Sequence, residues 1–117
     1  MRTEYLHDLP DAWRGAAAVF SALGDPARQR ILLLFEPGEA LSIKAIAEQF
    51  PLSRTAVVHH LTVLERAGIL RQERHGKSAL YSLRPEVVFG ALDALRQYIL
   101  AEYPNLVEET AKEQSHG

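Results

Sequence analysis

Few side chains in this sequence are able to do covalent or metal chemistry, and their spacing removes most of the options. The chain has 117 residues and no cysteine. That excludes a thiolate nucleophile, a disulfide framework, a Cys-ligated metal and a thiol redox sensor together. The histidines are His7, His59, His60, His75 and His116. His59 and His60 are adjacent in a stretch of helical periodicity, where consecutive side chains point about 100° apart, so one ion cannot take both. His7 and Asp11 could meet His116 at a subunit junction as a weak zinc site, but exposed terminal side chains are the simpler reading. Ser53 with His59 or His60 has the residue types of a nucleophile and its base. Ser53, however, stands where a helix needs its cap, and no orienting acid is near. Glu36 with Glu39, and Glu108 with Glu109, read as solvated carboxylates rather than an acid–base pair. Gly24-Asp25-Pro26 is a turn between helices, not a phosphate loop. Trp13, Phe89 and Tyr98 read first as packing residues and second as a surface on which a ligand could stack. No enzyme, cofactor or metal site is expected.

The charged residues are more informative. The net charge is −2. Yet residues 54–84 hold six basic side chains (Arg54, Arg66, Arg71, Arg74, Lys77, Arg84) against two acidic ones, while both flanks are net negative. Local potential decides where a polyanion docks. No apolar run approaches the roughly 18 residues needed to cross a bilayer. Residues 1–10 include Glu4 and Asp8 and lack the apolar stretch of a secretory leader, so a cytoplasmic location is expected.

These side chains must be held by a short series of elements. A first helix is expected from Pro10-Asp11 to Leu23, with Ala16, Val19, Phe20 and Leu23 at helical spacing and Gly24 as its stop. Asp25-Pro26 combines a capping carboxylate with the residue best suited to a first helical turn, and so starts a second helix. Ile31, Leu32, Leu34 and Phe35 form its apolar side, and Pro37-Gly38 ends it. Leu41-Ser42 opens a third helix with Ser42 as its cap and Ile43, Ile46, Ala47 and Phe50 as its apolar positions, and Pro51 stops it. Ser53 caps a fourth, whose Val57, Leu61, Leu64 and Ala67 make one stripe before Gly68. The period then changes from helical to alternating. Residues 70–74 and 79–83 read as two strands around the turn His75-Gly76-Lys77-Ser78. Pro85 begins a long helix to about Tyr103 that is apolar nearly all round, which implies a second partner surface.

The expectation is a mainly α protein with a small β-hairpin: a winged helix-turn-helix of five to six helices and a two-stranded wing. Residues 1–104 would form one domain and 105–117 a C-terminal extension. The fourth helix would enter the major groove of double-stranded DNA, which is wide enough for a helix. Its outward residues Arg54, Thr55, Val58, His59 and Thr62, with the cap Ser53, are candidate base or phosphate contacts. Arg71, Arg74, His75 and Lys77 on the hairpin are the others.

Three segments resemble one known family. Phe20-Ser21-Ala22-Leu23-Gly24-Asp25-Pro26-Ala27-Arg28 resembles the opening of the ArsR/SmtB repressors, and residues 52–61 resemble their recognition helix. Residues 64–70 and Tyr81-Ser82-Leu83 match the segments that follow. The resemblance covers about residues 16–84. It implies a homodimeric repressor on a two-fold symmetric operator, with the first and last helices as its interface. Trp13, Ala16, Phe20, Val88, Leu92, Leu95 and Ile99 are the candidate interface residues. The family's metal sites fall here on Ser42 and Lys44, and on Pro85, Val87, Tyr98 and Ala101. Ser42 and Lys44 offer no thiolate, and none of the second set ligates a metal by its side chain. Its signal would then be a small-molecule inducer in the dimer interface, an ion at some other site, or nothing beyond its own concentration. The alternative from another class is a winged-helix protein-interaction module without sequence-specific DNA binding.

Overall fold

The computed structural model describes residues 1–106, and Glu108, Glu109 and His116 lie outside them. The order is α1 (Asp11–Leu23), α2 (Pro26–Leu34), β1 (Ala40–Ser42), α3 (Ile43–Ala47), α4 (Arg54–Arg66), β2 (Leu70–His75), β3 (Ser78–Leu83) and α5 (Pro85–Glu102). This is a winged helix-turn-helix: α3 and α4 pack together, and α4 also packs on β2. The core gathers Ile31, Ile46, Val57, Leu61, Leu64 and Ile69, all 0% exposed. Each such side chain contributes roughly 1.5–3 kcal/mol of transfer free energy. α1 and α5 lie against each other through Ala16, Val19 and Ala91, which join the same core.

The ends of the helices follow from single residues. The Asp25 carboxylate accepts from the amides of Ala27 (2.7 Å) and Arg28 (3.4 Å) and so caps α2. Those bonds, the Ala27 amide foremost, hold the Asp25 carboxyl below the ordinary carboxylate range. The Arg28 guanidinium reaches back to the last carbonyls of α1, with Nε donating to Ala22 at 2.6 Å and Nη2 to Ser21 at 3.4 Å. One Asp and one Arg thus satisfy two helix ends across a single turn. Ser53 caps α4 by accepting from the Ala56 amide at 3.1 Å. At the other end Gly68 adopts φ 81°, the Ile69 amide donates to Leu64 and the Gly68 amide to Glu65. That crossed pair of bonds needs a left-handed residue at this point, which only glycine takes without strain.

Three features depart from the expectation. Ser42 does cap α3, accepting from the Ala45 amide at 3.1 Å, but Leu41-Ser42 also ends a strand, and the sheet has three strands in the order β1-β3-β2. β1 pairs antiparallel with β3 through Leu41 opposite Tyr81. α3 is also shorter than expected, ending at Ala47 ahead of Phe50. Phe35 caps α2 in an extended conformation yet stays buried, so it fills the core from outside the helix.

Candidate nucleic-acid interface

α4 presents two unlike faces. Val57, Leu61 and Leu64 are fully buried, while Arg54, Thr55, Val58 and His59 are exposed with Ser53 just before them. Thr62 is half-buried, and its hydroxyl donates to the Val58 carbonyl at 2.8 Å, leaving its lone pairs free to accept. Arg54 has no ion-pair partner among the described residues. His60 points elsewhere. It is half-buried, with Nδ1 3.4 Å from Nη1 of Arg28, and ties α4 to the first turn of α2. The expected division between an outward His59 and a packed His60 matches these positions.

The wing is a two-residue turn, Gly76-Lys77, closed by the pair His75–Ser78. Gly76 has φ 66°, as the first central position of this class of hairpin turn requires. Lys77 is therefore fixed at the tip. Pairing divides the rest of β2 by face. Leu70, Gln72 and Arg74 stand opposite Leu83, Tyr81 and Ala79 on one face, of which only Leu70 of β2 reaches the core while Gln72 and Arg74 are exposed, and Arg71, Glu73 and His75 share the other face. On that other side Glu73 sits between two candidates, 3.0 Å from Arg71 Nη2 and 3.6 Å from His75 Nε2. Arg74 and Lys77 have no such partner among the described residues, and Arg84 pairs with Glu86 at 3.1 Å. The free positive charge of the wing is thus concentrated at Arg74 and Lys77. Composition alone does not separate Arg71 and His75 from them. Alternation along β2 was the available signal, because it sets Glu73 beside both. Below the wing, burial pushes the Tyr81 hydroxyl pKa up, with Glu65 adding to it.

The residues expected at a dimer interface fall into three groups. Ala16, Phe20 and Val88 belong to or pack on the protomer's own core. Leu95 and Ile99 are half-buried on α5, and Trp13 meets Tyr98. Leu92 is 53% exposed and lines an open apolar groove of about 410 Å³ with Leu32, Leu33, Val88 and Phe89. Leu33 and Phe89 are the most exposed of these, at 83% and 73%, and were not among the expected interface residues. The run Ile31-Leu32-Leu33-Leu34-Phe35 carries more apolar side chains than one helix face can bury, and that was the sequence signal for Leu33.

Comparison with known proteins follows the same outline. The profile of a helix-turn-helix domain matches residues 23–73. The chain is 33% identical over 81 residues to the transcriptional repressor SdpR of Bacillus subtilis, covering 69% of this chain and 89% of that one. It is 31% identical over 104 residues to the arsenic resistance transcriptional regulator ArsR1 of Pseudomonas putida, covering 83% and 81%. Among solved structures, the ArsR-like transcriptional regulator from Rhodococcus sp. RHA1 superposes with a TM-score of 0.72 at 24% identity, covering 88% of this chain and 95% of that one.

Proposed function

The chain belongs to the ArsR/SmtB family of winged helix-turn-helix transcriptional regulators, and from that premise we propose that it is a homodimeric repressor reading a two-fold symmetric operator. The observation that carries the reading is the two-faced α4. Its inner stripe is fully buried and its outer face is bare from Ser53 to His59, so the reading side chains stand on a helix that the core holds still. Each protomer places α4 in a major groove, about one helical turn from its mate. Arg54 donates to a guanine edge or phosphate, Thr55 and His59 hydrogen-bond, and Val58 meets a thymine methyl. Lys77 and Arg74 hold the flanking phosphates. Arg71 and His75 act on the same strand, moderated by Glu73.

The dimer buries α1 and α5. The groove of Leu33, Val88, Phe89 and Leu92, between α2 and α5, supports the α5 part of this, because exposed apolar patches of this kind mark association surfaces. No helix among the described residues is long and apolar enough to cross a membrane. The ArsR1 relative is named for arsenic resistance, but this chain has no thiolate to take a soft ion. Its signal is therefore assigned to a small molecule rather than to the family's Cys or His sites.

A fluorescence-anisotropy titration against DNA upstream of its own gene tests the reading, with a scrambled duplex as control at two salt concentrations. The expected result is selective binding with a steep salt slope. Failure to bind either duplex would overturn the reading in favour of a protein-interaction module.

A further inference from the structure

Arg71, Glu73 and His75 alternate along β2 and so form a strip on one face of the wing. The Glu73 carboxylate lies between the other two, with Oε1 3.0 Å from Arg71 Nη2 and Oε2 3.6 Å from His75 Nε2. All three side chains are exposed, so a polyanion can reach them. Across the sheet the strip meets Ser82, Leu80 and Ser78 of β3, and beyond these stand Ala40 and Ser42 of β1. None of the five carries a charge. The other charges of the hairpin are Arg74, on the opposite face, and Lys77, at the tip. α4 also packs on β2, but its Glu65 acts on Tyr81, which belongs to the opposite face, and its His60 meets Arg28. Arg54, His59 and Arg66 of α4 form no ion pair with the strip among the described residues. Glu73 is the one ion-pair partner of His75 among them.

We propose that this strip is a proton-controlled phosphate contact, shielded by Glu73 at higher pH and uncovered when His75 is protonated. It is a regulation of the DNA-binding site described above and rests on that reading. The charge count gives the reason. With His75 neutral, Glu73 cancels Arg71 and the strip has no net charge. With His75 protonated, one carboxylate faces two cations and one positive charge is left over for a phosphate. Histidine is the side chain that ordinarily changes charge between about pH 5 and 8. A phosphate beside the strip favours the cationic form of His75, so the complex takes up a proton. Linkage is reciprocal: a proton held more tightly in the complex makes the complex tighter as pH falls.

Anisotropy on the duplex from upstream of the gene tests this, over a range of salt at about pH 8 and about pH 6, either side of the ordinary histidine range. The salt slope of the wild type should be steeper at the lower pH. His75→Gln keeps a polar side chain that does not titrate, and should remove about one unit of that steepening. Glu73→Gln removes the shield with little change of size. It should bind roughly two- to fivefold more tightly than the wild type at the higher pH, the range of one exposed ion pair. Both variants should keep the wild-type circular dichroism spectrum, because the replaced side chains are exposed. An unchanged pH dependence in His75→Gln overturns the proposal. So does a Glu73→Gln protein that binds no more tightly than the wild type at the higher pH. Immobilised heparin, a polyanion without base sequence, keeps the two readings separate. The salt that elutes the wild type should rise from the higher to the lower pH, and should rise less for His75→Gln. That pattern without selective DNA binding overturns only the regulator. Selective DNA binding without the pattern overturns only the strip, and absence of both overturns both.

Discussion

α4 and α5 each have one side held by the protomer and one side bare, but the bare sides differ in chemistry. On α4 the bare side carries Arg54, Thr55 and His59, which water solvates well. On α5 it carries Phe89 and Leu92, 73% and 53% exposed, which water solvates poorly. The first surface can wait for a polyanion without loss. The second is unfavourable until something covers it. On the proposed reading the fold separates recognition from assembly by the polarity of what it leaves uncovered, and the two halves share a core that runs from Ala16 to Ala91.

Removing the shared support is the severest way to break this division. Leu61→Ala deletes a fully buried side chain from the inner stripe of α4. It should cost about 2–5 kcal/mol in urea or guanidinium unfolding. DNA binding should fall with it, because the outer face is then no longer held. A loss below about 1 kcal/mol would mean that the stripe is not the anchor inferred here.

The assembly half is probed next. Leu92→Asp places a charge on a side chain already 53% exposed, so the folded protomer should tolerate it. In a dimer that buries this groove the charge would be uncompensated, and the dimer dissociation constant should rise by at least about 100-fold. Sedimentation velocity at micromolar concentration reads this directly, and a dimer as tight as the wild type would remove Leu92 from the interface. Leu61→Ala and Leu92→Asp together sharpen the contrast: one should destabilise the fold of the protomer, the other only separate two copies.

Much of this arrangement was legible because local chemistry and the fold agree. Asp25-Pro26, Ser53 and Gly68 each meet a backbone requirement that few other residues meet, and so the boundaries of α2 and α4 could be read from them. The change of period at Leu70 marked the wing. β1 was hidden for a physical reason. Three residues carry too little alternation to show, and their pairing partner Tyr81 is 40 positions away in sequence. Leu33 and Phe89 stand in visibly over-apolar runs, yet their individual exposure was not legible. Helical spacing says that a side chain shares a face with its neighbours, not whether that face turns to the core or to a partner. The effect of Glu73 on Arg71 and His75 was within reach, through the two-residue period of a strand.

Within the recognition half, two substitutions separate base reading from phosphate holding. Arg54→Ala should cost about 1–3 kcal/mol on operator DNA and less on random sequence, narrowing the ratio between them. Lys77→Ala should weaken both duplexes alike and flatten the salt slope by about one. Equal losses on both duplexes for Arg54→Ala would make it a phosphate contact like Lys77. A lowered specificity ratio for Lys77→Ala would place the wing tip against bases instead.

The smallest effect expected concerns neither surface but the turn between them, where Asp25 caps α2 and faces Arg28 and His60. Its carboxyl is held below the ordinary aspartate value of 3.8, first by the Ala27 amide and also by the Arg28 amide and charge. A carboxyl with a lower pKa in the folded than in the unfolded chain contributes stability where it is ionised. That contribution is complete above the unfolded value and is lost as pH falls through the folded one. Asn is as good a cap as Asp but does not titrate. Asp25→Asn should therefore keep most of the stability at neutral pH while removing part of its decline in acid. Urea midpoints of the two proteins, measured from neutral pH down to below the carboxylate range, should converge as the pH falls. Curves that stay parallel throughout would show that the backbone bonds to Asp25 do not depend on its charge, and that the turn is held by shape alone.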